Sequence, residues 1–371
     1  MTKPSYIRAF IDEVEITSSD DVEEQQLYGI PVNDLELTDS IAAASYRIIS
    51  IPLDLDNADP ASSLQPSLGE QTVTTWRIFG YDSVSESYSE NQTLALSRGY
   101  WLFSKEAADI AIAGVTVNPS EDFAIPLSKG WNMVGNPYAF DVYWGNAVIR
   151  VSGVEYRLND SDANQYVRQR YWWYDDASPD SINNGIFESV SGPFDAEHKL
   201  QPWHGYAVYA LEACDLVISP SQNEPQPSPS VSQAPGRIRP LWQAQFIAQS
   251  GHMVDSSNYF GISTASSDGY DRWDSEKPPF PSDEISVSFP HPDWGSDANR
   301  YAEDYRAPFS DEKIWHISVN SSKHGAAVQV YWKGITQIPL HFNAYLIDGI
   351  TGVSTDMKND LACFQHPGKS Y

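Results

Sequence analysis

Three short segments occur twice, in the same order, within residues 41–220, and this internal repeat constrains the fold more than any other feature. Residues 46–53 match residues 131–138, residues 78–82 match 171–175, and residues 99–103 match 205–209. The offset between the copies grows from 85 (46 to 131) to 106 (99 to 205), and it grows only between matched segments. Because insertions in loops leave a strand framework intact, the pattern predicts a β-meander that occurs twice and packs as one pseudo-symmetric unit.

The other segments set the expected domain boundaries. Residues 221–240 are rich in Pro, Ser and Gln, which is typical of an extended linker. Residues 241–371 show strand alternation without helical periodicity, and this predicts an antiparallel β-sandwich with strands at 241–248, 284–289, 313–319, 327–332 and 343–347. Residues 1–40 hold one isolated strand pattern, at 5–12, and an acidic linker; the strand either ends a preceding domain or joins a later sheet.

The predicted fold class is therefore all-β. It consists of a duplicated antiparallel β-meander domain, residues 41–220, followed by an antiparallel β-sandwich domain, residues 241–371. We call residues 41–125 the first copy and residues 126–220 the second copy.

Charge and cysteine content exclude several classes of partner. The chain has 50 acidic and 23 basic residues, a formal net charge of −27, which repels nucleic acid and anionic lipid surfaces. No apolar run approaches the roughly 20 residues of a membrane-spanning helix, and the first residues lack a secretory signal pattern. Cys214 and Cys363 are too few for a disulfide framework or a cysteine zinc site. Cys214 aligns with Ala108 of the first copy, which indicates a buried structural thiol.

Aromatic residues of the second copy form one candidate ligand-binding site. Trp173, Tyr174 and Trp203 could offer flat faces for stacking on sugar rings, and Asp175 could accept hydrogen bonds from sugar hydroxyls. The alternatives are core or inter-copy packing and a protein–protein contact. Adjacent strand residues point to opposite faces, and the alignment with the first copy predicts that Trp172 is the core residue of the pair Trp172–Trp173.

Two acidic loops form candidate calcium sites. Asp54 and Asp56 alternate in the first loop, and Asp268, Asp271 and Asp274 recur at every third position in the second. Hard oxygen ligands in a flexible turn suit Ca²⁺. Asp is also an ordinary turn residue that binds its own backbone, so turn formation is the alternative for both loops. We predict no other cofactor.

The sequence contains no recognisable catalytic motif. It lacks the Gly-x-Ser-x-Gly, His-Glu-x-x-His, phosphate-loop and Gly-x-Gly-x-x-Gly patterns. A glycosidase needs only two carboxylates that the fold places together, and no pair can be selected among 50 acidic residues. The eight histidines are scattered, which indicates surface or core residues and not metal ligands. We therefore assign no catalytic residue.

Four segments carry a resemblance to known proteins: 46–55, 130–138 with its Gly-Trp-Asn-Met-Val-Gly-Asn-Pro-Tyr motif, 267–274 with its Asp-Gly-Tyr-Asp motif, and 277–280. They resemble the C-terminal β-rich modules of large bacterial secreted or cell-surface proteins. In that group such modules follow immunoglobulin- or fibronectin-like domains and often lie near a sorting domain, sometimes of the type IX secretion kind. Residues 6–9 are similar to the closing strand of such a preceding domain.

The resemblance implies a non-enzymatic structural or adhesion module, located outside the cell or at its surface. The expected partner is a cell-surface protein or a glycan, and the expected context is a larger bacterial polypeptide of which this chain is a part. Two alternatives stay open, a carbohydrate-binding module of a glycan-degrading system and a glycosidase.

Overall fold

The computed structural model describes residues 8–10, 13–15, 35–158, 160–176, 186–190, 198–221, 223–225, 240–251, 253–281, 285–295, 299–308, 312–321, 327–359 and 364–367. Strands dominate these residues, which confirms the all-β class. The chain divides into two compact units. The first unit is Met1–Ala177 with Glu188–Pro235, and the second unit is Ser178–Phe187 with Gly236–Tyr371. Cys363 and most of the predicted linker 221–240 lie outside the described residues.

The elements up to residue 218 include a single α-helix among the described residues. In chain order they are β1 (Arg8–Phe10), β2 (Glu13–Glu15), β3 (Leu35–Ile41), β4 (Ser45–Ser50), α1 (Pro60–Leu68), β5 (Trp76–Asp82), β6 (Ser87–Glu90), β7 (Gly99–Ser104), β8 (Ala108–Gly114), β9 (Phe123–Leu127), β10 (Gly130–Gly135), β11 (Val142–Tyr143), β12 (Val148–Val151), β13 (Val154–Arg157), β14 (Val167–Asp175), β15 (Ile186–Val190), β16 (Lys199–Leu200), β17 (Gly205–Ala210) and β18 (Cys214–Ile218). The strand predicted to be isolated at 5–12 has a partner, because β1 pairs with β2 inside the acidic segment.

The two copies contain sheets of the same order and register. The first copy has the order β4-β7-β5-β6, and the second has β10-β17-β14-β15. Ser45 pairs with Ser104 and Ser50 with Gly99, whereas in the second copy Gly130 pairs with Ala210 and Gly135 with Gly205. The partners of the second copy lie 85 and 106 residues after those of the first, as do the matched sequence segments. Strand pairs β3–β8 and β9–β18 complete the two halves.

The connection between the first two core strands differs between the copies. In the first copy it contains α1, which begins where the Asp59 side chain accepts a hydrogen bond from Ser62 N at 2.8 Å and ends at Gly69 with φ 74°. The Ser67 hydroxyl of α1 accepts a hydrogen bond from Ala111 N of β8 at 2.9 Å. In the second copy β12 pairs with β18 instead. The helix therefore covers a sheet edge that a strand covers in the second copy.

The second unit is built around one connected sheet. Its strands are β19 (Trp242–Ser250), β20 (Met253–Asp255), β21 (Tyr259–Ile262), β22 (Ser275–Glu276), β23 (Ser286–His291), β24 (Asn299–Arg306), β25 (Ser318–Asn320), β26 (Ala327–Lys333), β27 (Tyr345–Ile347), β28 (Ser354–Asp356) and β29 (Phe364–Pro367). The main order is β25-β23-β24-β21-β19-β26-β29, with β20 on β19 and β22 on β24. Strands β27 and β28 form a separate pair. The core of the second unit contains the fully buried residues Phe246, Val287, Phe289 and Tyr301.

Two details of this unit differ from the sequence-based expectation. Strands β21 and β24 pair in parallel, so the sheet is not purely antiparallel. The long connection after β21 provides the crossover that a parallel pair requires. Of the strand predicted at 313–319, only β25 forms. Residues 312–317 lie outside any strand, although Trp315 and Ile317 pack against the core.

Candidate functional site

The predicted aromatic site does not form one exposed surface. Trp203 is 4% exposed and packs in the core of the first copy, and Tyr174 is 9% exposed. The Tyr174 ring meets Trp101 of the first copy edge-on, with centroids 5.0 Å apart. Trp173 is half-buried and packs near Tyr171 with centroids 5.9 Å apart. Trp173 and Tyr174 therefore lie on opposite faces of β14.

Asp175, the carboxylate of that candidate site, and three other residues of the second copy are largely inaccessible to solvent. Asp175 is half-buried at the end of β14. Trp172 is 4% exposed, in agreement with its predicted place in the core. Trp144 is fully buried and donates from Nε1 to Gln169 O at 2.8 Å. Cys214 is also buried, and burial together with nearby acidic groups raises the pKa of its thiol to about 11. Trp172, Trp144 and Cys214 are therefore packing residues.

Trp203 has a second role, in joining the two copies. Its backbone is left-handed, with φ 67°, and its carbonyl accepts a hydrogen bond from Ser50 N at 2.7 Å. At the equivalent position 106 residues earlier, Ser97 has φ 59° and accepts from Gly135 N at 2.7 Å. The two bonds are related by the offsets of the repeat. The copies thus meet through reciprocal contacts, as subunits do in an isologous dimer.

A half-buried charged cluster lies beside this contact. Arg47 Nη2 donates to His204 Nε2 at 2.5 Å, and Arg47 Nη1 lies 3.0 Å from Asp39 Oδ2. Burial and the Arg47 guanidinium lower the pKa of His204 to about 4. Burial also raises the pKa of Asp39, although Arg47 opposes this change. His204 is therefore neutral at pH 7 and acts as an acceptor for Arg47.

The acidic loop at 268–274 uses its carboxylates within the fold. Asp271 accepts from Ser267 N at 2.6 Å and from Trp273 N at 2.9 Å. Asp274 accepts from Asp271 N at 2.8 Å and from Tyr305 N at 3.1 Å. Asp268 forms an ion pair with Lys313. Burial and the Asp271 carboxylate raise the pKa of Asp274 well above its usual value. These are the contacts of a turn, the alternative to calcium for this loop.

The acidic loop at 54–59 is arranged differently. Asp54 and Asp56 are exposed, and the backbone of Asp54 pairs with Val115. Asp59 of the same segment caps α1. Within the described residues, no group of three or more His, Cys, Asp or Glu side chains is arranged to hold a metal ion. Calcium binding at either loop stays a prediction.

Sequence inspection missed a buried ionic cluster in the second unit. Asp304 is fully buried and accepts from His291 Nε2 at 2.8 Å and from Arg306 Nε at 2.8 Å. The His291 ring stacks on Trp294 at 3.6 Å between centroids. Burial acts to raise the pKa of Asp304, but the hydrogen bonds from His291 and Arg306 outweigh it and lower the pKa. Asp304 and Arg306 lie two residues apart on β24, but His291 comes from β23, and no spacing in the sequence signals that it meets them.

A second missed cluster joins β20, the start of β21 and the end of β22. The Lys277 ammonium donates to Asp255 Oδ1 and to Asn258 Oδ1, both at 2.7 Å. The Asn258 amide nitrogen donates to the same Asp255 oxygen at 2.9 Å. Asn258 is fully buried, and the side chains of Lys277 and Asp255 are 10% and 12% exposed. We call these three residues the Lys277 triad.

Comparison with protein-family models, curated proteins and solved structures gives no match. In the part of the chain that the structure describes, no helix is long and apolar enough to cross a membrane. The assignment of function therefore depends on the geometry of the chain itself.

Proposed function

We propose that the protein is a non-enzymatic structural module of a bacterial extracellular or cell-surface protein. The observation that carries this proposal is that the side chains singled out as binding residues are engaged in holding the fold. The Trp203 side chain packs in the core of the first copy, Tyr174 packs on Trp101, and the carboxylates of the loop at 268–274 accept hydrogen bonds from their own backbone. The sequence resemblance favours the same role.

A carbohydrate-binding module is the second candidate. One observation favours it: Trp173 is half-buried and precedes Tyr174 and Asp175 on the same strand. A single aromatic face with a neighbouring carboxylate is a minimal sugar platform. Burial of Trp203 and Tyr174 removes two of the three aromatic faces on which the prediction was based.

Glycan-array binding of the full chain separates the two candidates. The wild type and Trp173→Ala are compared, each with calcium and with a chelator, and Val84→Ala serves as a control at a residue that is 85% exposed. For a structural module we expect no saturable signal in any condition. Saturable binding that Trp173→Ala removes and Val84→Ala retains would contradict the proposal and make Trp173 a ligand-binding residue. Binding that requires calcium would in addition support a metal role for the acidic loops.

A further inference from the structure

The Lys277 triad places a nucleophile, an electrophile and a proton carrier in contact. An amine nitrogen is a nucleophile when it is not protonated, and the carbonyl carbon of a carboxamide is an electrophile. The Lys277 nitrogen lies 2.7 Å from Asn258 Oδ1, the oxygen bonded to that amide carbon. The carboxylate of Asp255 contacts both nitrogen atoms through the single oxygen Oδ1.

The surroundings favour reaction of this pair. Burial lowers the pKa of Lys277, although the charge of Asp255 opposes the change, and a lower pKa increases the fraction of free amine. The Asn258 amide nitrogen also donates to Phe246 O at 3.3 Å, and Asp255 Oδ2 accepts from Val287 N at 2.7 Å. These bonds fix the orientation of the amide and of the carboxylate. Held reactants gain a large effective concentration relative to free ones.

We propose that Lys277 and Asn258 form an intramolecular isopeptide bond with Asp255 as the proton carrier. The Lys277 nitrogen, as free amine, attacks Cγ of Asn258, and a bond forms between Lys277 Nζ and Asn258 Cγ. Asp255 accepts the proton that Nζ loses and delivers it to Asn258 Nδ2. The bond from Cγ to Nδ2 breaks, and one ammonia molecule leaves. The step needs no oxidant, reductant or other reactant, and the product is a secondary amide plus ammonia.

Two other outcomes are possible for the same atoms, and each has a distinct mass. The triad could remain a buried ion pair, in which case the chain has its encoded mass. Lys277 could instead condense with the carboxyl group of Asp255, which would release water and not ammonia. The hydrogen-bond pattern favours Asn258, because Asp255 Oδ1 contacts the leaving nitrogen as well as the attacking one. The inference does not depend on the proposed function.

The test is the intact mass of the denatured full chain, followed by tryptic mapping. Arg272 lies between Asn258 and Lys277, so trypsin separates them into peptides 238–272 and 273–300; Arg239 and Lys277 are followed by Pro and resist cleavage. We expect a mass below the encoded one by a single ammonia, and one branched species that contains both peptides. Lys277→Arg, which keeps the charge beside Asp255, and Asp255→Asn should both restore the full mass. Lys313→Met removes a lysine that pairs with Asp268, outside the triad, and should keep the loss.

Each alternative result overturns the proposal in a defined way. The encoded mass in the wild type would leave the triad as a buried ion pair. Loss of water would move the bond to Asp255. Loss of ammonia in an unbranched 238–272 peptide would indicate cyclisation of Asn258 on its own backbone. If Asp255→Asn is insoluble, Lys277→Arg and the wild type decide the question by themselves.

Discussion

The contact between the two copies in the first unit and the interior of the second unit both fix the placement of strands, but by different interactions. Between the copies, backbones approach closely: a Cβ on Gly205 would lie 2.8 Å from Ile49 O. In the second unit, charged side chains such as Asp304 and Lys277 occupy the interior. Strand placement therefore depends on close backbone packing at the contact between the copies and on buried charged side chains in the second unit. The first should be sensitive to an added methyl group, and the second to a removed charge.

The largest expected loss of stability is the one caused by removing a buried charge from the second unit. Asp304→Ala leaves Arg306 and His291 without their buried carboxylate, which should lower the free energy of unfolding by about 3–5 kcal/mol. Urea denaturation measures the change. Asp293→Ala is the matched control, because Asp293 lies 3.7 Å from His291 on the other side and its side chain is 74% exposed. We expect the control to cost at most about 1 kcal/mol; equal costs would show that the burial of Asp304 is unimportant.

The second expected effect is that the stability of the first unit depends on pH through His204. The pKa of His204 is about 4 in the folded chain, against 6.5 as its ordinary value. Between these values the unfolded chain binds a proton that the folded chain does not, so stability falls as the pH drops from 6.5 to 4. The contribution is about 3 kcal/mol over this range.

His204→Gln removes the titrating group and keeps an acceptor for Arg47. The free energy of unfolding, measured at several pH values, should depend less on pH in this variant than in the wild type. His316→Gln, at an exposed histidine of the second unit, is the control and should retain the wild-type slope. Identical slopes in all three proteins would contradict the neutral state of His204.

The smallest expected loss of stability is the one caused by adding a methyl group at the contact between the copies. Gly205→Ala should lower the free energy of unfolding by about 1–3 kcal/mol, because the new Cβ meets the backbone of Ile49. Gly349→Ala is the control, since no atom lies within 4 Å of a Cβ at that exposed position. Thermal unfolding of both variants gives the comparison. A loss for Gly205→Ala no larger than for Gly349→Ala would show that the copies are not in tight contact.

The sequence predicts the strands and the repeat that relates them, but it does not predict the buried ionic clusters. The offsets of 85 and 106 follow from matched aromatic and proline positions, and the sheet registers have the same offsets. Alternation along β14 predicts that Trp172 is buried, but Trp203 is buried from a turn with a left-handed backbone, which no local pattern indicates. Asp255 and Asn258 are three residues apart, but Lys277 meets them only because the sheet brings the end of β22 beside the turn between β20 and β21. Register between distant strands is a tertiary property, so single-sequence patterns do not reveal it.

The helix α1 illustrates a signal that was present and received another interpretation. The first acidic loop, with Asp54 and Asp56, is a candidate calcium site or turn by sequence, whereas Asp59 followed by Pro60 in the same segment is a helix start. The two interpretations use the same residue types, because a carboxylate that accepts backbone hydrogen bonds suits both a turn and a helix N-terminus.

The central claim for the first unit is that the two copies form one cooperative body through their reciprocal contacts. Hydrogen exchange of the full chain carrying Trp144→Ala tests it most directly, since Trp144 is fully buried in the core of the second copy. If the copies unfold together, amides of β5 and β7 in the first copy should lose as much protection as those of β14 and β17, while β19 and β26 of the second unit keep theirs. Unchanged protection in β5 and β7 would contradict the claim.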